Sequence, residues 1–185
     1  MVKLFVEGGG DYKSLRTECR KGFTLFFEKA GLRGHMPRVV ASGTRRKVYD
    51  DFCAAIHNNE LAMMLVDSED MVEGNDYQPW SFLSGRKADQ WTKPHGSFDS
   101  QCHLLDDFFG AGFNADELPK GVNSIEQISK ERIFDCLKKA TQNCKTKKPY
   151  GKGAHSFKIL ALLNPQKIKA ASGWAKRLID ELKNI

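Results

Sequence analysis

The sequence predicts an α/β domain in which a central, mostly parallel sheet is flanked by helices. Three short apolar runs, at residues 4–6, 38–41 and 61–66, are each bounded by turn-forming residues. The segments between them carry apolar residues at helical spacing, so the order is strand, helix, strand, helix, strand. Parallel neighbours need a crossover of about a dozen residues or more, and both spacers are long enough to supply one.

In the first spacer Leu15, Cys19, Phe23, Phe26, Phe27 and Ala30 recur at helical intervals, with Arg16, Arg20 and Lys21 on the opposite face. Gly31 and Gly34 stop that helix. Ser42-Gly43-Thr44 can cap a second helix, whose apolar positions are Val48, Phe52, Ala55 and Ile56. The run at 61–66 is the longest apolar stretch and reads as a buried strand, far short of the ~20 residues that span a bilayer.

Beyond Asp70 the periodicity fades into a long loop or lid at 73–94, which carries Trp80, Phe82 and Trp91. Residues 101–105 read as a short fourth strand, 125–140 as one or two helices, and 173–182 as a terminal amphipathic helix. One domain is expected over 1–185, with a core at about 1–110 and a helical, basic-loop extension at about 111–185.

At 185 residues and 41% hydrophobic content, the chain can bury a sizeable core without covalent staples. Its five cysteines are odd in number and scattered, and no C-x-x-C pair suggests zinc. They read as reduced thiols filling a core in a cytoplasmic protein. The first residues lack the apolar stretch of a signal peptide, so neither export nor membrane insertion is expected. A net charge of +6 biases the molecule modestly toward polyanions.

Glu7 ends the first strand and precedes Gly8-Gly9-Gly10, a run that permits a tight turn and a close approach to a ligand. Asp67, Glu69 and Asp70 come just after the third strand. Ligands of open α/β sheets collect outside the carboxyl ends of the strands. If strands one and three are neighbours, these carboxylates converge, and such crowding of like charge calls for a cation. Hard oxygen donors suit Mg²⁺. The ordinary alternative is a helix start at Glu7 and a solvated acidic turn at 67–70. The triple glycine matches neither established phosphate-loop spacing, so a nucleotide cofactor is weakly supported.

The C-terminal half holds a basic loop, Lys145-Thr146-Lys147-Lys148-Pro149-Tyr150-Gly151-Lys152, and then His155. Lys145, Lys147, Lys148 and Lys152 are placed to grip phosphate, and Tyr150 to stack on a base. His155 is a candidate general acid or phosphate donor beside Lys152. Arg45 and Arg46, with Lys47, form a second candidate phosphate clamp at the start of the second helix. Each of these groups also fits a solvated surface.

Residues 3–11 with Ser14, Leu15 and Arg16, then 37–42, 65–70, 99–104 and 150–157, resemble the DUF4276 family. The blocks run through most of the chain and are specific in combination. The resemblance implies a Toprim-like sandwich with a catalytic glutamate after the first strand, here Glu7, and a D-x-D after the third. That motif is Asp67-Ser68-Glu69 here, with Asp70 beside it, and Glu69 stands where the general pattern has Asp. The same resemblance implies an Mg²⁺- or Mn²⁺-dependent nuclease acting on DNA or RNA. It also implies an ABC-type ATPase partner and a role in bacterial anti-phage defence. Relatives continue from the fourth strand into a further helix, whereas here Leu105 passes almost directly to Asp106. A non-catalytic subunit docking on an ATPase and a hydrolase of small phosphates are the rival expectations.

Overall fold

In the computed structural model, β1 (Lys3–Glu7) is the central strand of a parallel sheet that has three strands among the described residues. It pairs with β2 (Arg38–Gly43) on one side and β3 (Ala62–Leu65) on the other. The structure describes residues 1–67, 79–94, 114–119, 128–145, 148–151, 153 and 155–185. The expected neighbour relation of strands one and three therefore holds, and the fold is mixed α/β with helices flanking the sheet. The expected fourth strand at 101–105 lies outside the described residues.

Each crossover is a helix, α1 (Lys13–Lys29) between β1 and β2 and α2 (Arg45–His57) between β2 and β3. Thr44 caps α2 through its side chain, which accepts from the Lys47 N–H. The end of α1 is a Schellman turn: Leu32 N–H bonds to Phe27 O and Gly31 N–H to Glu28 O, with Gly31 at φ +82°. Among the described residues the remaining α-helices are α3 (Pro79–Gly85), α4 (Lys130–Thr141), α5 (Ser156–Leu162), α6 (Pro165–Ala171) and α7 (Gly173–Asn184). The start of α6 is capped by Asn164, with Pro165 in its first turn.

Alternation along β1 divides the core. Leu4 and Val6 face a cluster built with α1, α4, α5, α6 and α7, whereas Phe5 faces a second cluster built with α2, α3 and Trp91. Sheets covered on both faces need near-continuous apolar strands, and all four residues of β3 are buried. Each fully buried Leu, Phe or Val contributes roughly 1.5–3 kcal/mol, so the two clusters outweigh any local propensity.

Gly22, within α1, lets α5 approach closely, since a Cβ there would lie 2.5 Å from Phe157 O. Cys19 is fully buried, and desolvation pushes its thiol up to about 12 despite the charge of Arg20, as expected of an inert core thiol. Cys53, Cys136 and Cys144 are also free thiols, and Cys102 lies outside the described residues.

The long loop expected at 73–94 is only partly irregular. Residues 79–85 form α3, and Trp80 and Trp91 are buried in the second cluster. Trp80 lies near Phe52, and Trp91 stacks on Tyr49 with centroids 4.5 Å apart. Aromatic area of that size goes to the core when a helix face is available to cover it. Among the described residues no helix is long and apolar enough to cross a membrane.

Candidate functional site

Two carboxyl strand ends meet where the sequence places its acids. The Glu7 Oε2 accepts from the Asp67 N–H at 3.3 Å, tying the end of β1 to a residue two positions beyond β3. Between Val6 and Glu7 the β1–β2 register shifts, which sets Glu7 opposite Gly43. Gly8, Gly9 and Gly10 then turn at φ +141°, +83° and +47°. A Cβ at Gly8 would lie 2.7 Å from Phe157 Cζ, and one at Gly9 would lie 2.7 Å from Arg16 Cα. The close approach that these two glycines allow is therefore to the protein's own α1 and α5, while Gly10 opens to space.

Each acid has a basic neighbour. Arg45 Nη1 lies 3.8 Å from Glu7 Oε2 and also donates to the Asp67 carbonyl oxygen. Lys130 Nζ, at the start of α4, is 2.6 Å from Asp67 Oδ2. Arg45 is aimed by Asp89, which accepts from Nε at 2.9 Å and from Nη2 at 2.7 Å in a bidentate pair. Arg86 Nη1 donates to the same carboxylate at 3.0 Å, and the Arg45 guanidinium lies 5.0 Å from the Trp91 ring centroid. The Asp89 side chain is 5% exposed. Burial pushes its pKa up, but hydrogen bonds and charge from Arg45 and Arg86 outweigh that and hold the carboxyl below the ordinary aspartate value. Arg45, Arg46, Arg86, Ala88, Asp89 and Trp91 line an open cavity of about 380 Å³.

The expected residues fall into three groups. Glu7, Asp67 and Arg45 come together at the edge of the sheet, and Arg46 lines the cavity beside them. The second group is the basic loop, of which Lys145 and Lys148 are exposed. His155 heads α5, and its Nδ1 accepts from the Gly151 N–H at 3.1 Å, so the neutral ring carries its proton on Nε2. Tyr150, expected at the surface as a stacking ring, is 8% exposed. It packs edge-on to Phe134 at 5.9 Å and its hydroxyl meets Ser156 Oγ at 3.1 Å, so the ring serves the core. The third group, Glu69, Asp70, Lys147 and Lys152, lies outside the described residues.

The donor chemistry at Glu7 and Asp67 fits a hard divalent cation, since Mg²⁺ is commonly held by one or two carboxylates with water and phosphate. Among the described residues no cluster of three His, Cys, Asp or Glu side chains is arranged as a metal cage. Sequence reasoning missed Asp89, Arg86 and Lys130. The Arg86–Asp89 spacing offers a weak local signal, but nothing near Lys130 points to Asp67, 63 positions earlier. Compared with protein-family models, curated proteins and solved structures, the chain matches none.

Proposed function

We propose that the chain is a Toprim-like, DUF4276-related hydrolase of phosphodiester bonds in DNA or RNA. The observation that carries this reading is the bond between Glu7 Oε2 and the Asp67 N–H, which sets the Glu7 carboxylate against the backbone of Asp67 at the carboxyl edge of adjacent parallel strands. Glu7 and Asp67 would hold Mg²⁺ or Mn²⁺, which supplies a polarised phosphate and an activated water when bound. Glu69 and Asp70 are candidate further ligands. Arg45, kept in place by Asp89, directs positive charge to the side of the site where a phosphate would sit. His155, with its proton on Nε2, is a candidate donor to a leaving oxygen, and Lys152 a candidate phosphate contact. Work beside an ABC-type ATPase in bacterial anti-phage defence belongs to the same proposal and is supported by the sequence resemblance.

A second reading has an observation of its own. Arg45 and Lys130 already set positive charge against Glu7 and Asp67, as in a subunit whose acidic edge is structural and whose task is docking. Cleavage of labelled single- and double-stranded DNA and RNA in Mg²⁺ or Mn²⁺ separates the two. The expected result is metal-dependent cleavage reduced at least about a hundredfold by Glu7→Gln or Asp67→Asn, as befits groups that bind the metal. Cleavage that survives both changes would overturn the site, and no cleavage of any substrate would favour the docking subunit.

A further inference from the structure

The helix α1 begins with an unusual residue. Tyr12 is its N-cap and makes no side-chain cap bond, at a position where Ser, Thr, Asp or Asn would satisfy the helix. The residue is 72% exposed, and among the residues whose side chains are described no other aromatic lies open to solvent in this way. Neither helix stability nor burial accounts for a tyrosine there.

Cations follow from the first turns of two helices, α1 and α2, with the exposed Asp11 3.8 Å from one of them, Arg16. Lys13, next in the chain after Tyr12, is exposed. Arg16 reaches back across the glycine turn, its Nε donating to Gly10 O at 2.8 Å. A Cβ on Gly43 would lie 3.2 Å from Arg16 Nη2, so the guanidinium spans from the glycine turn after β1 to the end of β2. Gly43 leads through Thr44 into Arg45, Arg46 and Lys47. Lys47 is held protonated by its hydrogen bond to Asp51 and by that carboxylate's charge, against a smaller opposing effect from Arg16 nearby. Arg46 and Lys47 pair with Asp50 and the half-buried Asp51 one turn on, at 3.1 and 2.6 Å, in i,i+4 pairs at the surface that salt screens and a phosphate can exchange. The basic strip thus runs from Tyr12 over the Gly8–Gly10 turn to the Arg46-lined cavity, alongside Glu7.

We propose that Tyr12, Arg16, Arg46 and Lys47 form a track for single-stranded nucleic acid, with Tyr12 stacked on an unpaired base and the cations on the adjoining phosphates. The proposal rests on reading the Glu7 edge as a phosphodiester site, whose substrate class it narrows. Single strands are favoured because a base within a duplex has both faces covered by its neighbours, whereas an exposed ring flanked by cations suits an unpaired base on its backbone.

Fluorescence anisotropy on the full chain, with chelator present so that nothing is cleaved, tests the track with labelled oligo-dT and its duplex with oligo-dA. Tyr12→Ala is expected to weaken oligo-dT binding about 5- to 150-fold, Tyr12→Phe to restore it, and neither to move duplex affinity. The pair Arg46→Ala and Lys47→Ala is expected to flatten the log–log salt slope by about 1.4, two lost contacts on a single strand. Tyr12→Ser guards against a folding artefact: it supplies a better cap, so the melting temperature should rise while binding falls. Unchanged oligo-dT affinity in Tyr12→Ser or Tyr12→Ala, an equal loss on duplex, or no binding by the wild type would overturn the proposal. Track binding without cleavage in metal would instead remove the hydrolase reading alone, and cleavage indifferent to Tyr12 would remove the track alone.

Discussion

On the α1 face of the sheet the core gathers buried residues from Val2 through to Leu182, whereas on the α2 face, among the described residues, it runs only from Phe5 to Trp91. The first face is closed by helices far along the chain and ends in apolar packing. The second is closed by near neighbours and ends in the charged rim of Arg45, Asp89 and Arg86. The larger face carries the cohesion, and the smaller one aims a guanidinium at Glu7. Function at a sheet edge needs both, because a side chain is positioned no better than the packing behind it.

The sharpest test of that division is to empty the larger face. Phe27 is fully buried in that cluster, and Phe27→Ala should cost about 3–5 kcal/mol of stability in urea denaturation. A loss confined to α4–α7, with the sheet intact by hydrogen exchange, would show that the faces are separate cooperative units.

Asp89→Asn asks the complementary question on the smaller face. It leaves Arg45 and Arg86 facing a neutral amide, at an expected cost of about 1–3 kcal/mol. Because folding lowers the pKa of Asp89, the unfolded chain takes up this proton more readily than the native one. Its contribution is therefore complete at neutral pH, starts to fall as acid brings the pH to the ordinary aspartate value, and is gone below the lowered one. The wild-type advantage over Asp89→Asn should hold steady from neutral pH down to about pH 5 and shrink only as the pH falls through the ordinary aspartate value and below it, in urea melts at each pH. A constant difference would mean that packing, not charge, holds Arg45.

The smallest effect lies at the turn between the faces. Gly9→Ala meets the Arg16 backbone as well as a left-handed φ, whereas Gly10→Ala meets only the φ. The second should cost about 1–2 kcal/mol and the first more. Equal melting temperatures for the two variants would show that α1 gives way at Arg16.

The βαβ order, the cap at Thr44 and the pairing of strands one and three were legible because each rests on local chemistry: periodicity, a hydroxyl before a helix, a crossover length. The meeting of Glu7 with Asp67 came from strand order and needed no side-chain detail. The burial of Trp80 and Trp91, placed in a loop or lid, and of Tyr150, expected to stack on a base, was not legible, because an aromatic in a polar segment looks the same whether it faces a ligand or plugs a core, and only the partner helix decides. The cation at Asp67 was invisible for a related reason, since Lys130 is brought there by the packing of α4. The short α6 was missed even though Asn164-Pro165 is a readable cap and first turn.

The central place of β1 has a consequence in time. This strand precedes both of its neighbours in the chain, so as the polypeptide leaves the ribosome it has nothing to pair with until residues 38–43 and then 62–65 have emerged. Its two edges close one after the other, each by a long-range parallel pairing of the slow kind. Glu7 gains its bond from Asp67 only after the second closure. The acidic edge is thus among the last features of the sheet to form, and a nascent chain stalled short of Asp67 would carry Glu7 without the partner that completes the pair.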